Sequence, residues 1–313
     1  MLEFERIDRH FRPLAGEGAL NLEDDAAVFT PPPRRELVVA ADAMVAGVHF
    51  LPDDPPDLVA RKLLRVNLSD LAAMGAEPLG YLMTVSVPKQ TPEAWFAAFA
   101  AGLAQDQAAF GITLLGGDTT STPGPVSLSL TVLGHVAPGT ALRRRGARPG
   151  DGLWVTGTIG DGTLGLRAAR GELPDPDGYL ADRYRLPRPR LGLRLVGIAT
   201  ACMDVSDGLL QDTTHLCRAS GAGAVIEAAL VPLSPQARAA APEGLLACVT
   251  GGDDYELVFA VPPAHEAALL AAASAAGIAV ARIGWFTEGE PVATLHDARG
   301  EAVPVGVGGW SHF

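Results

Sequence analysis

Residues 67–76, Asn67-Leu68-Ser69-Asp70-Leu71-Ala72-Ala73-Met74-Gly75-Ala76, set two polar side chains three apart inside an apolar run. Side chains at that spacing meet on one side of a helix, so Asn67 and Asp70 can share a face. Leu64, Leu68 and Leu71 recur at helical spacing around them and predict a helix from Asp57 to Met74. A carboxylate held on such a helix suits a ligand better than a core.

Upstream, Leu37 to Ala41 is a short apolar run ending at Asp42, which predicts a buried strand. Downstream, Leu79 to Val87 alternates as a strand does. Thr91-Pro92-Glu93 then opens a helix, with a hydroxyl cap, a proline at the first position and an acid in the first turn. That helix is expected to run to about Phe110, before a strand Ile112 to Leu115 that stops at Gly116-Gly117-Asp118. Val126 to Val136 reads as a further strand. The Gly-, Pro- and Arg-rich stretch Ala137 to Asp151 holds the expected boundary between domains 1–147 and 148–313. The second half restarts with a strand, Leu153 to Thr156, a glycine turn and a helix from about Gly162 to Ala169. Pro174, Pro176, Pro187 and Pro189 mark loops around a middle helical piece. Arg190 to Cys202, Leu209 to Ser220 and the alanine-rich 267–276 are expected as helices. Ala224 to Ala228, Tyr255 to Val261, Ala279 to Trp285 and Val292 to Leu295 are expected as strands. Both halves mix helix and strand, so the class is α/β, in the mixed α+β sense.

Composition removes several functions. A net charge of −12 argues against nucleic-acid or membrane-surface binding, which needs basic patches. Of the 24 basic residues only Lys62 and Lys89 are lysines, and neither completes a G-K-[ST] phosphate loop. Cys202, Cys217 and Cys248 form no C-x-x-C pair and read as buried free thiols. No apolar run reaches 18 residues and the amino terminus is charged from its third residue, so a cytoplasmic protein without a membrane span is expected. The histidines offer no zinc spacing, and no G-x-S-x-G marks a hydrolase. Gly160-Asp161-Gly162-Thr163-Leu164-Gly165 matches G-x-G-x-x-G, but a proline-rich loop follows where a dinucleotide fold needs a strand and an acid. Its helix N-terminus is left as a place that could help hold a phosphate.

Asp, by contrast, recurs beside strand ends and in glycine turns: Asp24-Asp25, Asp42, Asp118, Asp204 with Asp207, and Asp253-Asp254. Each alone also suits a turn or a cap, as Asp204-Val205-Ser206-Asp207 before a helix does. As a set they suit oxygen ligation of a hard cation such as Mg²⁺.

These motifs resemble the thiamine-monophosphate kinase family, part of the ATP-binding superfamily that includes aminoimidazole ribonucleotide synthetase and selenophosphate synthetase. The resemblance rests on Asp24-Asp25-Ala26-Ala27, Asp42 to Phe50, Asn67 to Ala76 and Gly116-Gly117-Asp118-Thr119. It continues through Val155 to Asp161, Asp204-Val205-Ser206-Asp207-Gly208-Leu209, Gly251-Gly252-Asp253-Asp254-Tyr255-Glu256-Leu257 and the closing Gly309-Trp310-Ser311-His312-Phe313. It implies a two-domain aminoimidazole ribonucleotide synthetase-like fold whose amino-terminal sheet pairs across a homodimer. It implies transfer of the ATP γ-phosphoryl group to thiamine monophosphate, with several Mg²⁺ ions on Asp25, Asp42, Asp70, Asp118, Asp204 and Asp207. ATP contacts would fall on Gly117, Asp118, Arg144 and Ser206, and thiamine-phosphate contacts on His49, Asp253 and Trp310. Glu23 stands where the family usually has Gly, and Ala40 and Ala41 stand where it has hydroxyl residues. No general base is expected, because the accepting phosphate has a second pKa of about 6 and is already largely ionised. Another ATP-using synthetase of the superfamily, or a non-catalytic nucleotide binder, are the alternatives. A selenophosphate enzyme would want a reactive Cys near the amino terminus, and the first Cys here is Cys202.

Overall fold

The computed structural model describes residues 3–306 and 308–310. Ser311, His312 and Phe313 of the closing motif, and the first two residues, lie outside the described residues. The chain forms two compact units. One takes the chain up to Leu71 together with Ala76–Gly139; the other takes Ala72–Gly75 and the chain from Thr140 onward.

The first unit opens with helix α1 (Glu3–Arg6) and short helical turns over 7–22. Then follow β1 (Glu36–Val45), α2 (Pro56–Ala73), β2 (Glu77–Val87), α3 (Glu93–Phe110), β3 (Leu114–Ser121) and β4 (Ser127–Val136). The sheet order is β1-β4-β2-β3, with β2 and β3 parallel and the other pairs antiparallel. Period-2 alternation sends Tyr81, Met83, Val85 and Val87 of β2 and Leu128, Leu130 and Val132 of β4 to one buried face. Helices α2 and α3 cover it: Gln107 of α3 donates to the Tyr81 hydroxyl, and Leu71 of α2 abuts Gly134 of β4. The two helices meet at Gly102, where a Cβ would stand 2.2 Å from the Asp57 carbonyl oxygen.

The sheet's other face is open. Leu37 and Val39 of β1 are 44% and 59% exposed, and Leu82 of β2 is 41% exposed. The expected buried strand ending at Asp42 is therefore corrected on both counts. β1 is an edge strand with one neighbour and one covered face, and Asp42 lies inside it, opposite Leu130.

The second unit carries β5 (Gly152–Thr156), α4 (Asp161–Ala169), α5 (Tyr179–Arg185), β6 (Ala201–Val205), α6 (Leu209–Ser220) and β7 (Gly223–Glu227). It continues with α7 (Pro235–Ala240), α8 (Leu245–Thr250), β8 (Glu256–Val261), α9 (Glu266–Ala276), β9 (Val280–Thr287) and β10 (Ala293–His296). Its sheet runs β10-β7-β9-β5-β8-β6, antiparallel except for the β10–β7 pair. Both faces are covered, so β5, β6 and β8 are buried at every position. Leu153, Val155, Met203, Val205, Val258 and Ala260 enter one core with Leu209 and Leu216 of α6. Trp154, Cys202, Leu257 and Phe259 enter the other with Leu269 and Ala273 of α9.

The helix expected over Arg190–Cys202 does not form. Gly192 and Gly197 adopt φ of +91° and +79°, the segment runs in turns, and its end is strand β6. Leu193 and Leu195 are buried as alternate residues, a spacing that belongs to extended chain. The three cysteines are free and buried, and burial pushes the thiols of Cys217 and Cys248 up to about 12. Among the described residues no helix is long and apolar enough to cross a membrane.

Candidate active site

In the second unit, Ser206 and Asp207 form the turn between β6 and α6, with Asp204 buried two residues earlier on β6. The residue that follows the turn must be glycine: Gly208 has φ +130°, and a Cβ there would press on the Thr250 carbonyl group at 2.9 Å. The helix has no side-chain cap. Instead Asp212, one turn inside it, accepts from the N–H groups of Asp207 and Gly208 at 3.0 and 3.1 Å. Asp204 and Asp207 are thus neither of them the cap that their position also suited. The Asp212 carboxyl is pushed up to about 8, chiefly by burial and then by the negative charges of Asp204 and Asp207.

Two distant segments are bonded to this turn. Asp253 N–H donates to the Ser206 carbonyl at 2.9 Å, and Tyr255 N–H to that of Val205 at 2.8 Å. Trp310 N–H donates to the Asp207 carbonyl at 2.9 Å. Asp253 and Tyr255 hold φ of +69° and +51°, left-handed values that side chains rarely adopt and that a rigid surround must enforce. That surround is buried and polar. Asp254 accepts from Gly160 N–H at 2.7 Å and from Gly162 N–H at 2.9 Å. Arg183, 2% exposed, donates to Glu256 at 3.0 Å and lies 3.7 Å from Asp161. The phosphate site contemplated at the glycine-rich turn is therefore corrected: the protein's own Asp254 carboxylate takes those N–H groups. Arg144 is exposed, its carbonyl accepting from Ser220 Oγ, which itself accepts from Gly146 and Ala147 N–H.

In the first unit, Asp42 N–H donates to Asn67 Oδ1 at 3.2 Å, and Asn67 Nδ2 donates to the Leu63 carbonyl. Asn67 is fully buried, so it fixes β1 against α2 rather than facing a ligand. Burial raises the Asp42 carboxyl above its usual range. Asp70 lies one turn farther along the same helix, half-buried. His49 Nδ1 accepts from Val45 N–H at 3.0 Å, so a neutral ring carries its proton on Nε2. Lys62, 2% exposed, donates to the His49 carbonyl at 2.9 Å and clamps that loop. Asp25, Gly117 and Asp118 line one cavity of about 770 Å³, with Thr84 and Ser129. A Cβ at Gly117 would fall 1.8 Å from the Met83 carbonyl oxygen, so this close strand approach requires glycine.

Asp42 and Asp118 are not brought together within this unit. Asp42 shares a register row with Leu130 and Met83, on the helix-covered side. Asp118 belongs to the next row, with Thr84, Ser129 and Ala43, on the open side. Three strand steps of about 4.8 Å also separate β1 from β3.

Residues 23–136 match the family model of the AIR synthase related protein N-terminal domain, and residues 148–296 match that of its C-terminal domain. A thiamine-monophosphate kinase of Caulobacter vibrioides is 49% identical, over 99% of this chain and 90% of that protein. The chain belongs to the thiamine-monophosphate kinase family. The crystal structure of such a kinase from Stenotrophomonas maltophilia K279a superposes with a TM-score of 0.85 at 38% identity, covering 97% of this chain and 98% of that one. AaThiL complexed with AMPPCP and TMP superposes at 0.80 with 27% identity, over 99% and 97%.

Set against this kinase family, the expected residues fall into two groups. Asp25, Asp42, His49, Asp70, Gly117 and Asp118 lie in the first unit, and Arg144, Asp204, Ser206, Asp207, Asp253 and Trp310 in the second. Among the described residues no three His, Cys, Asp or Glu side chains are gathered closely enough to hold a metal by themselves. The donor chemistry nonetheless fits Mg²⁺: the acids supply oxygen alone, and Asp204 and Asp207 repel a third carboxylate, Asp212, as acids do where a cation would be welcome. The structural roles of Asp212, Arg183 and Lys62, and the use of Asp254 as an acceptor for main-chain N–H groups, are not legible in the sequence. A carboxylate that accepts main-chain N–H groups looks, in sequence, like any acid in a turn or on a helix face.

Proposed function

We propose that this protein phosphorylates thiamine monophosphate with ATP, giving thiamine diphosphate, by direct in-line transfer. The observation that carries the reading is the bonding of three sequence-distant segments at one turn. Ser206 and Asp207, expected at the nucleotide, are tied by main-chain hydrogen bonds to Asp253 and to Trp310, expected at the thiamine phosphate. Its relatives agree with it: thiamine-monophosphate kinases, and AaThiL complexed with AMPPCP and TMP.

Asp25, Asp42, Asp70, Asp118, Asp204 and Asp207 would hold Mg²⁺, which supplies charge neutralisation between two anionic phosphates. Gly117, Asp118, Arg144 and Ser206 would position ATP. His49 would donate from Nε2 to the thiamine phosphate, its ring oriented by the Val45 N–H. Asp253 would balance the cationic thiazolium, and the Trp310 indole, 54% exposed, would stack on the ring system. The acceptor oxygen is already ionised at neutral pH, so these residues orient and neutralise without removing a proton. A homodimer closed over the exposed Leu37–Val39 face is part of the same reading, as is a cytoplasmic location.

Purified protein with ATP, Mg²⁺ and thiamine monophosphate is expected to form thiamine diphosphate, followed by chromatography. No product where Mg²⁺-ATP binds would overturn the reading. Asp70→Asn and, separately, Asp207→Asn are expected to lower turnover by about 100-fold or more, with unfolding curves like the parent's.

A further inference from the structure

Trp310 is 54% exposed, and its main chain is gripped on both sides. Trp310 N–H donates to the Asp207 carbonyl at 2.9 Å, while the Trp310 carbonyl accepts from Gln211 Nε2 at 2.8 Å. The same amide nitrogen lies 3.4 Å from Asp207 Oδ2. Gln211 stands in the first turn of α6, four residues after Asp207, so the helix aims its side chain back over the turn it leaves. The fit is close: a Cβ on Gly309 would lie 2.5 Å from Gln211 Cβ, so only glycine lets the strap pass.

We propose that Gln211 is a positioning residue that latches the 308–310 strap onto the Ser206–Asp207 turn, and so sets the Trp310 indole where the thiamine end of the substrate is received. This rests on the assignment of Trp310 and Asp207 made under the proposed function. An amide is the required group. It donates towards two oxygens at once, whereas a carboxylate would face the Trp310 carbonyl and the Asp207 carboxylate with acceptors only.

The test uses the full chain carrying Gln211→Ala, Gln211→Glu or Trp310→Ala. Thiamine monophosphate and Mg²⁺-ATP are varied independently, and hydrogen exchange of the peptide containing Trp310 is followed without substrate. Gln211→Ala is expected to speed that exchange and to raise KM for thiamine monophosphate about three- to tenfold, the worth of one hydrogen bond. Its kcat and its KM for ATP should stay within about twofold of the parent's. Gln211→Glu should raise the same KM further. Unchanged exchange in Gln211→Ala would overturn the latch. Faster exchange with a parental KM, while Trp310→Ala raises KM, would overturn its role in positioning. If Trp310→Ala also keeps the parental KM while turnover is intact, the assignment of Trp310 has failed and the role of Gln211 falls with it. Absence of any thiamine diphosphate from the parent protein would instead count against the reaction itself.

Discussion

Asp253 and Asp254 are neighbours with opposite duties. Asp254 is 1% exposed and spends both oxygens on the N–H groups of Gly160 and Gly162. Asp253, half-buried on a left-handed backbone, accepts from the Tyr255 hydroxyl at 3.2 Å and is the acid that the proposed function assigns to the substrate. Asp254→Ala would strand two buried donors, each costing about 1–3 kcal/mol, and the urea midpoint should fall accordingly. Asp253→Ala should keep that midpoint within about 1 kcal/mol of the parent while raising KM for thiamine monophosphate. Sequence placed both acids in a glycine turn but could not divide the labour. The partners of Asp254 lie 94 and 92 residues away, and no local spacing reports such a pairing. His49 is similar: its motif was legible, whereas the Val45 N–H and Lys62 that orient its loop were not.

At the scale of elements, the sequence was read correctly wherever periodicity and local chemistry agreed. Helix α3 ends at Phe110 as expected, although its cap position falls to Pro92 with no side-chain cap rather than to the Thr91 hydroxyl, and α6 matches its expected span of Leu209–Ser220. It failed where apolar content was high but glycine and proline broke the chain, as at Pro189, Gly192 and Gly197. It failed also at β1, whose apolar residues serve an uncovered face. Gly102→Ala would drive a methyl group into the Asp57 carbonyl and force α2 and α3 apart, so a loss of about 1–3 kcal/mol in chemical denaturation is expected. The amino-terminal turns are fastened to α3 by Glu93, which pairs with His10 and with Arg6 at 3.3 Å. The hydrogen bond from His10 chiefly, with Arg6 assisting, lowers the Glu93 carboxyl below 4.5. A lowered acid stabilises the fold above its unfolded-state value and loses that contribution as pH falls through the folded one. Glu93→Gln should therefore be less stable than the parent at neutral pH. The gap should narrow below pH 4.5 and close once Glu93 is protonated in the parent, as read from thermal melts across pH.

Over the whole molecule, an acid-rich chain of net charge −12 would, on the proposed function, meet two phosphorylated substrates, and its acids would serve that end only where cations accompany them. One of those acids, Asp118, sits on the open side of the first unit's sheet, in a row with Thr84, Ser129 and Ala43. Val39 and Leu133 pair two rows away, and Leu82 lies between, so an apolar strip borders the acid. An uncovered apolar sheet face with a long edge strand is a surface that natural proteins close, and a second copy of the same face is the partner that the family resemblance implies. Val39→Glu places a charge in the strip at a side chain already 59% exposed, so the fold itself should lose no more than about 0.5 kcal/mol. Sedimentation is expected to show the parent as a dimer and the variant shifted towards monomer. Turnover should fall with the dimer fraction and recover at high protein concentration, because in the proposed dimer closing the face would enclose Asp118. A parent that sediments as a monomer at every concentration while fully active would show that Asp118 works without a second subunit, and that the open face has another use.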